Sequence, residues 1–153
     1  MKEISNEISS IIKNHYEKYH DLDDNLTSIN LSDDKWSLKE IIGHLIDSAS
    51  NNHQRFVRLQ NENVLIFPVY HYDWIKTEKF NKVKFIDLIS LWKYINILLA
   101  HLIENVDESK LLNIWKREDK EITLKELMTD YLRHLKDHIK HFEERLNEIK
   151  NNK

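Results

Sequence analysis

The sequence has few of the residues that many small folds need for turns, cross-links or phosphate sites. Its 153 residues include one glycine, one proline and no cysteine. β-Sandwiches and barrels need turn residues about every 8–12 positions, so this composition argues strongly against them. A Rossmann or P-loop site needs several glycines in one loop, and Gly43 is the only glycine. The missing cysteines exclude disulfides, thiolate metal ligands and a cysteine nucleophile.

Charge and hydropathy exclude further classes. The 23 basic and 26 acidic residues are well mixed, which leaves no basic patch for nucleic acid. No run approaches the roughly 18 apolar residues of a membrane span, and the polar N-terminal segment MKEISNEISSIIKN does not look like a signal peptide. We therefore expect one cytoplasmic domain over residues 1–150, with no nucleic-acid or membrane partner. Histidine is unusually frequent, with nine copies.

Apolar residues recur at helical spacing in four long segments. The predicted helices cover, approximately, residues 2–20, 38–60, 85–105 and 124–149. Capping boxes begin the second and fourth helices, with Ser37 facing Glu40 and Thr123 facing Glu126. The third segment is apolar over more than half of its circumference, so we expect it to be the most buried. These features predict an all-α four-helix bundle, and the long links favour crossover connections over simple hairpins.

Two long connections separate the later helices. Residues 106–121 are expected to form a connection that includes a short helical turn. Residues 61–82 contain Pro68 and a cluster of aromatic rings. The cluster consists of Phe67, Tyr70, His71, Tyr72 and Trp74. A loop of this length is usually functional or packed over something, so we expect it either to shape a pocket or to plug one end of the core.

His134 and His138 stand four residues apart on the fourth predicted helix. This spacing places them about 40° apart and one turn above each other, where two imidazoles can share a metal ion. The spacing alone is a frequent coincidence in a chain with nine histidines. His138, however, falls within the apolar arc of the helix, and a histidine that faces a core needs a partner. A metal ion is one such partner, and a carboxylate or a carbonyl is another.

His44 on the second helix is the best candidate for a third ligand. It follows Gly43, whose position inside a helix indicates a close approach of backbone or ligand. A narrow polar stripe beside His44 marks the edge of a pocket between helices. The stripe consists of Glu40, Asp47, Ser48, Asn51 and Arg55. Of these, Asp47, Asn51 and Arg55 are the candidate pocket groups.

Other side chains are candidates for supporting roles around this site. Asp137 or Asp130 could accept a hydrogen bond from a ligand imidazole and so orient it. His141 borders the same helix face and could touch the metal ion or the substrate. His15, on the first helix, could be a core histidine with a satisfied ring.

Two separated motifs carry a resemblance to a known family. The first is WSLKEIIGHLID at residues 36–47, and the second is the His134-x-x-x-His138 pair that follows the helix start TLKEL. In these motifs, and over about residues 31–146, the sequence resembles the DinB/YfiT-like family of the DinB superfamily. The segments SNNHQRF and YDW are similar to a bacterial subgroup of that family.

The resemblance implies a left-handed four-helix bundle with crossover connections and a divalent metal ion held by three histidines. Carried onto this sequence, the ligands are His44, His134 and His138. His141 departs from the pattern, because many relatives have glutamine at that place. Characterised relatives include S-transferases that use low-molecular-weight thiols such as bacillithiol or mycothiol, and others are described as metal-dependent hydrolases.

The first expectation is therefore a metal-dependent enzyme that acts on a small molecule, with transfer to a low-molecular-weight thiol slightly ahead of hydrolysis. Three imidazoles leave a coordination position open, which is typical of catalytic zinc. Nickel and iron also accept imidazole, so zinc is favoured over them without being the only choice. The alternatives are a non-catalytic stress or binding protein with a structural histidine site, and a homodimer formed through the third helix.

Overall fold

The computed structural model describes residues 1–69, 71, 73–117 and 120–152. Its four long helices are α1 (Lys2–Tyr19), α3 (Leu38–Leu59), α5 (Phe85–Glu104) and α6 (Leu124–Asn151). Two short helices, α2 (Asp24–Thr27) and α4 (Trp74–Glu78), lie in the connections. The four predicted helices are confirmed, and the ends of each lie within two residues of the predicted bounds.

Both predicted capping boxes are present. The Ser37 hydroxyl accepts a hydrogen bond from the Glu40 backbone N–H at 3.1 Å, and the Ser37 N–H donates to the Glu40 carboxylate at 2.8 Å. Thr123 and Glu126 form the same pair of bonds at 3.2 and 2.8 Å. Because these bonds satisfy backbone donors at the first turn, they fix where α3 and α6 begin.

The four long helices pack around the bundle in the order α1, α5, α3, α6, and α6 closes against α1. Helix α3, which carries one candidate ligand, therefore lies directly beside α6, which carries the other two. The handedness of the bundle and the crossover of its connections stay predictions, as does the division into one domain over residues 1–150.

The prediction that the third long helix is the most buried is wrong. Helix α3 buries well over half of its residues, whereas α5 buries fewer than half. Several large apolar side chains of α5 remain exposed, namely Ile86, Leu91, Tyr94, Ile97 and Leu98. Helix α5 is also long and apolar enough to cross a membrane, a test that core helices of bundles pass as well. The expected cytoplasmic location therefore stays a prediction.

A small sheet that the sequence analysis does not predict accompanies the bundle. Strand β2 (Ile114–Arg117) pairs in parallel with β1 (Val64–Ile66) and antiparallel with β3 (Lys120–Thr123). β1 and β2 contact α3, while β3 contacts α6. The sheet therefore lies beside the pair of helices that carries the three histidines.

The long connection over residues 61–82 packs against α3. It contains β1, α4 and a 3₁₀ turn, Phe80–Lys82. The buried Phe80 ring lies so close to Gly43 that a Cβ atom there would overlap it. The close approach predicted at Gly43 is thus made by an aromatic ring. Tyr70 and Tyr72 of the predicted aromatic cluster lie outside the described residues.

Candidate metal centre

The structure brings His44 of α3 together with His134 and His138 of α6. One ring nitrogen of each lies within 4.8 Å of the others. The ring centroid of His138 lies 4.4 Å from that of His44 and 4.4 Å from that of His134. In the described part of the chain, this group contains no carboxylate. It is therefore a cluster of three imidazoles contributed by two neighbouring helices.

One pair of nitrogens in the cluster has a spacing that suits a shared ion. The Nε2 atoms of His44 and His134 lie 3.3 Å apart. Two nitrogens bound to one tetrahedral zinc at about 2.0–2.1 Å are themselves about 3.3 Å apart. His44 and His134 therefore need little movement to bind one ion.

Burial keeps the three imidazoles neutral. It is the main cause that lowers the pKa of His44 to about 3 and that of His138 to about 4, and the neighbouring histidines lower both further. Burial also lowers the pKa of His134, although the carboxylate of Asp130 acts in the opposite direction. Neutral imidazoles offer lone pairs, which is the state that a metal ligand requires.

One nitrogen of the cluster has no partner in the described part of the chain. The Nδ1 atom of His138 is buried and makes no hydrogen bond there. A buried polar atom without a partner costs about 1–3 kcal/mol, so such atoms usually mark a missing water, ion or ligand. The residues present therefore fit a divalent metal ion.

Trp36 covers one side of the cluster. Its ring centroid lies 5.1 Å from that of His44 and 6.4 Å from that of His141. The guanidinium of Arg145, on α6, donates a hydrogen bond to the Trp36 carbonyl and so holds the backbone of Trp36 against α6. The tryptophan contributes to the burial of His44, whose exposure is only 1%.

Ser48 is the neighbour of the other ring nitrogen of His134. Its hydroxyl lies 3.4 Å from His134 Nδ1. The Asn52 amide donates to the Ser48 carbonyl at 2.9 Å and reaches the hydroxyl at 3.5 Å. Ser48 lies in the predicted polar stripe of α3, but the sequence analysis does not assign it a role.

A pocket of about 710 Å³ opens beside the cluster. His134 and Ser48 line one end of it, so the cluster and the pocket share a wall. α3, α6 and the β2–β3 pair supply most of the remaining walls, and Val69 and His71 come from the long connection. Its size is typical of a small-molecule site.

The three predicted pocket groups of α3 occupy different places. Arg55 lines the pocket. Asp47 and Asn51 are buried but are not among the described residues that line it, and the Asn51 amide donates to the Asp47 carbonyl at 2.9 Å. Burial, followed by the neighbouring Glu78 carboxylate, raises the pKa of Asp47 to about 7.

The predicted supporting groups of α6 lie at the edge of the site. Asp137 forms an ion pair with Arg133 at 2.6 Å and lies at the surface. Asp130 pairs with the same guanidinium at 2.7 Å. His141 lies 6.1 Å from His138 between ring centroids, and its Nε2 atom is 3.5 Å from an Arg145 nitrogen. Whether His141 touches a bound ion or a substrate stays a prediction.

Comparison with known proteins identifies the fold. No protein-family model matches the chain, and no curated protein matches it significantly. Among solved structures, the chain is similar to YfiT from Bacillus subtilis, with a TM-score of 0.84 over 96% of this chain and 86% of that one. The chain has the YfiT fold.

YfiT is described as a probable metal-dependent hydrolase with an unusual four-helix bundle topology. The two sequences are 17% identical, so the likeness establishes the architecture alone. The YfiT fold agrees with the family resemblance found in the sequence, and it confirms the predicted four-helix bundle.

Proposed function

We propose that His44, His134 and His138 bind one divalent metal ion, with zinc favoured over nickel and iron, and that the protein is an enzyme acting on a small molecule. The observation that carries this proposal is the position of the cluster: three neutral imidazoles meet, and one of them, His134, lines a pocket large enough for a substrate. A structural histidine site would have no need of an adjoining pocket.

The ligand set determines which chemistry is available. A divalent ion held by three neutral ligands keeps its full charge, and it would act as a Lewis acid that lowers the pKa of a coordinated water or thiol. Among the described residues, the cluster supplies no carboxylate that would compensate the charge of the ion. An anionic cosubstrate such as a thiolate would supply this negative charge, so the ligand set favours one. The chain itself has no cysteine, so any thiol must come from outside.

We infer that transfer to a low-molecular-weight thiol is the first reaction to test. In this reaction Ser48 holds the His134 ring through Nδ1, while Trp36 shields His44 from water. The pocket orients the second substrate against the cluster. Hydrolysis is the second candidate, and the structural likeness to YfiT supports it.

Metal analysis tests the site directly. Protein purified without chelator should hold about one equivalent of metal per chain, whereas His44→Ala and His134→Ala should hold much less. His53→Ala is a matched control, because His53 lies on α3 outside the cluster. Equal metal content in all four proteins would show that the site is wrongly assigned, as would a parent protein that binds no metal on titration.

A substrate screen tests the reaction separately. The zinc-loaded protein would be incubated with low-molecular-weight thiols and electrophiles in one arm, and with amide and ester substrates in the other. Turnover that needs the thiol and is lost in His134→Ala supports transfer. Turnover without any thiol supports hydrolysis. Metal binding without turnover in either arm would favour the non-catalytic alternative.

We further propose that the protein forms a homodimer through the exposed face of α5. The five exposed apolar side chains of this helix extend from Ile86 to Leu98, about 18 Å along the helix axis. Monomeric proteins rarely leave large apolar patches open to water. In a two-fold symmetric dimer, α5 of one copy packs against α5 of the other, so the same apolar patch is buried on both copies.

A further inference from the structure

A buried carboxyl group of α3 meets a second carboxyl group from the long connection. Asp47 is only 6% exposed, and its Oδ2 atom finds no hydrogen-bond donor in the described part of the chain. Glu78, the last residue of α4, lies within hydrogen-bond reach of the Asp47 carboxyl group. Two ionised carboxylates would repel each other at this distance, so the contact needs one proton. The proton belongs on the buried Asp47, where ionisation costs more than at the exposed Glu78.

No cation of the described residues takes the place of this proton. Burial first, and then the Glu78 carboxylate, raises the pKa of Asp47 to about 7. No lysine or arginine in the described parts of the connection, α5 or α6 acts on the pKa of Asp47. The lysines of α4 and of the 3₁₀ turn are exposed, namely Lys76, Lys79 and Lys82. Asp47 therefore keeps its proton below about pH 7.

The segment that carries Glu78, residues 74–82, is held to one face of α3. The Phe80 ring lies against Gly43, and Asp47 stands one helical turn further along the same face. Between the two contacts, Lys79 has a φ of 53°, in the left-handed region that residues other than glycine rarely adopt. Contacts with α3, and not local backbone preference, therefore keep this segment in place.

We propose that Asp47 and Glu78 form a proton-dependent latch, which holds residues 74–82 against α3 and releases them when the shared proton is lost. Val69 and His71, which line the pocket beside His134, directly precede this segment in the long connection. Release of the segment would therefore let this part of the pocket wall move away from α3. The latch needs no bound metal ion, so its test is independent of the proposed metal centre.

Opening of the segment should become easier as the pH rises. In the closed state Asp47 keeps its proton up to about pH 7, whereas in the open state it titrates near its ordinary pKa of 3.8. Between these values each opening event releases one proton. The equilibrium constant for opening should therefore rise about tenfold per pH unit from pH 5 to 7 and level off above. The buried His15 acts in the opposite direction on global unfolding, because its pKa is lowered to about 4.

Hydrogen exchange between pH 5 and 8 measures this opening. The backbone N–H groups of Lys79 and Lys82 donate to the carbonyls of Ile75 and Lys79, so they report on the closed segment. After correction for the intrinsic exchange rate, their protection should fall about tenfold per pH unit up to pH 7. Asp47→Asn should remove this slope, because its amide donates to Glu78 at every pH. A parent protein without the slope, or a slope that persists in Asp47→Asn, would overturn the proposal.

Asp73→Asn is the matched control, because this exposed carboxylate directly precedes the segment and pairs with Lys76 at 3.2 Å. It should keep the slope of the parent protein. Glu78→Gln changes an exposed position and serves in case Asp47→Asn does not fold. Its amide can donate to an ionised Asp47, so the slope should be smaller than in the parent protein. An unchanged slope in Glu78→Gln, or the loss of the slope in Asp73→Asn, would show that the carboxyl pair is not the latch.

Discussion

The two ring nitrogens of His134 face different neighbours. Nε2 lies 3.3 Å from His44 Nε2, and Nδ1 lies 3.4 Å from the Ser48 hydroxyl. A proton on Nδ1 donates to Ser48 and leaves the lone pair of Nε2 for a metal ion. Asn52 holds Ser48 from the other side. In this tautomer, the Ser48 hydroxyl accepts from Nδ1 and orients the His134 ring for metal binding.

This arrangement predicts that Ser48→Ala weakens metal binding. Loss of a partner that orients a ligand histidine commonly costs about 10-fold in metal affinity. The zinc dissociation constant, measured by competition with a chelating dye, should rise by about that factor. Ser50→Ala on the exposed side of α3 is the control and should bind zinc like the parent protein. Equal affinities for the two variants would show that Ser48 does not orient His134.

The sequence indicates which side chains share a helix face, and this was enough to group the three histidines. It does not show which side chain of α3 meets which side chain of α6. The helix positions of Asp130 and Asp137 therefore favour them as groups that orient a ligand, whereas in the structure both carboxylates pair with Arg133. Ser48 could have been found because it lies four residues after His44, on the same stripe.

Gly43 predicts a stability effect that is separate from metal binding. Alanine at this position gains about 1 kcal/mol of helix propensity, but its Cβ would overlap the buried Phe80 ring. Overpacking of this kind costs about 1–3 kcal/mol, so Gly43→Ala should lower the free energy of unfolding in urea. Ser50→Ala, at an exposed helix position, should not lower it.

A second substitution separates the overlap from other causes. Phe80→Leu removes part of the ring, so the double variant should lose less stability than the sum of the two single variants. Strict additivity would mean that Gly43→Ala acts through something other than contact with Phe80.

At the scale of elements, the helices follow from local signals and the sheet does not. Apolar periodicity and the capping boxes at Ser37 and Thr123 act within a few residues, so the sequence shows them directly. β1 and β2 instead pair across 50 residues, with Leu65 opposite Trp115. No glycine marks the connection between β2 and β3, and the strands are only three or four residues long. Short strands held by distant pairing leave almost no periodic pattern.

The packing of α1 predicts a dependence of stability on pH. His15 of α1 lies among the rings of Tyr19, Trp92 and Phe142, with centroids 4.5–5.3 Å away. Burial is the main cause that lowers its pKa to about 4. In the unfolded chain His15 titrates near 6.5, so between pH 6.5 and 4 only the unfolded state takes up this proton. The free energy of unfolding must therefore fall as the pH falls through this window.

His15→Phe should remove this contribution, which is on the order of 2 kcal/mol. Urea unfolding at pH 7.5 and at pH 4.5 would be compared for the parent protein and the variant. The loss of stability on acidification should be smaller in His15→Phe. The histidines of the cluster also lower the free energy of unfolding as the pH falls, and this effect is the same in both proteins. An identical loss in the two proteins would show that His15 is not the group that titrates.

At the scale of the whole molecule, the candidate site and the exposed apolar face lie on different sides of the bundle. The site lies between α3 and α6. Around the bundle α6 is diagonal to α5, whose outer face carries the exposed apolar side chains. A dimer formed through α5 would therefore leave the pocket beside His134 open. The proposed enzyme and the proposed homodimer are compatible for this reason.

The dimer predicts that a charge on the outer face of α5 separates the two copies. Leu98 is 44% exposed, and Leu98→Glu would place a carboxylate in the proposed interface, where desolvation is costly. Light scattering should give about twice the chain mass of 18.6 kDa for the parent protein and a value near 18.6 kDa for the variant. Leu112→Glu makes the same change at a side chain that is 76% exposed and lies away from α5, so it should remain dimeric. A parent protein that stays monomeric at every concentration would show that α5 does not form this interface, and dissociation of both variants would place the interface elsewhere.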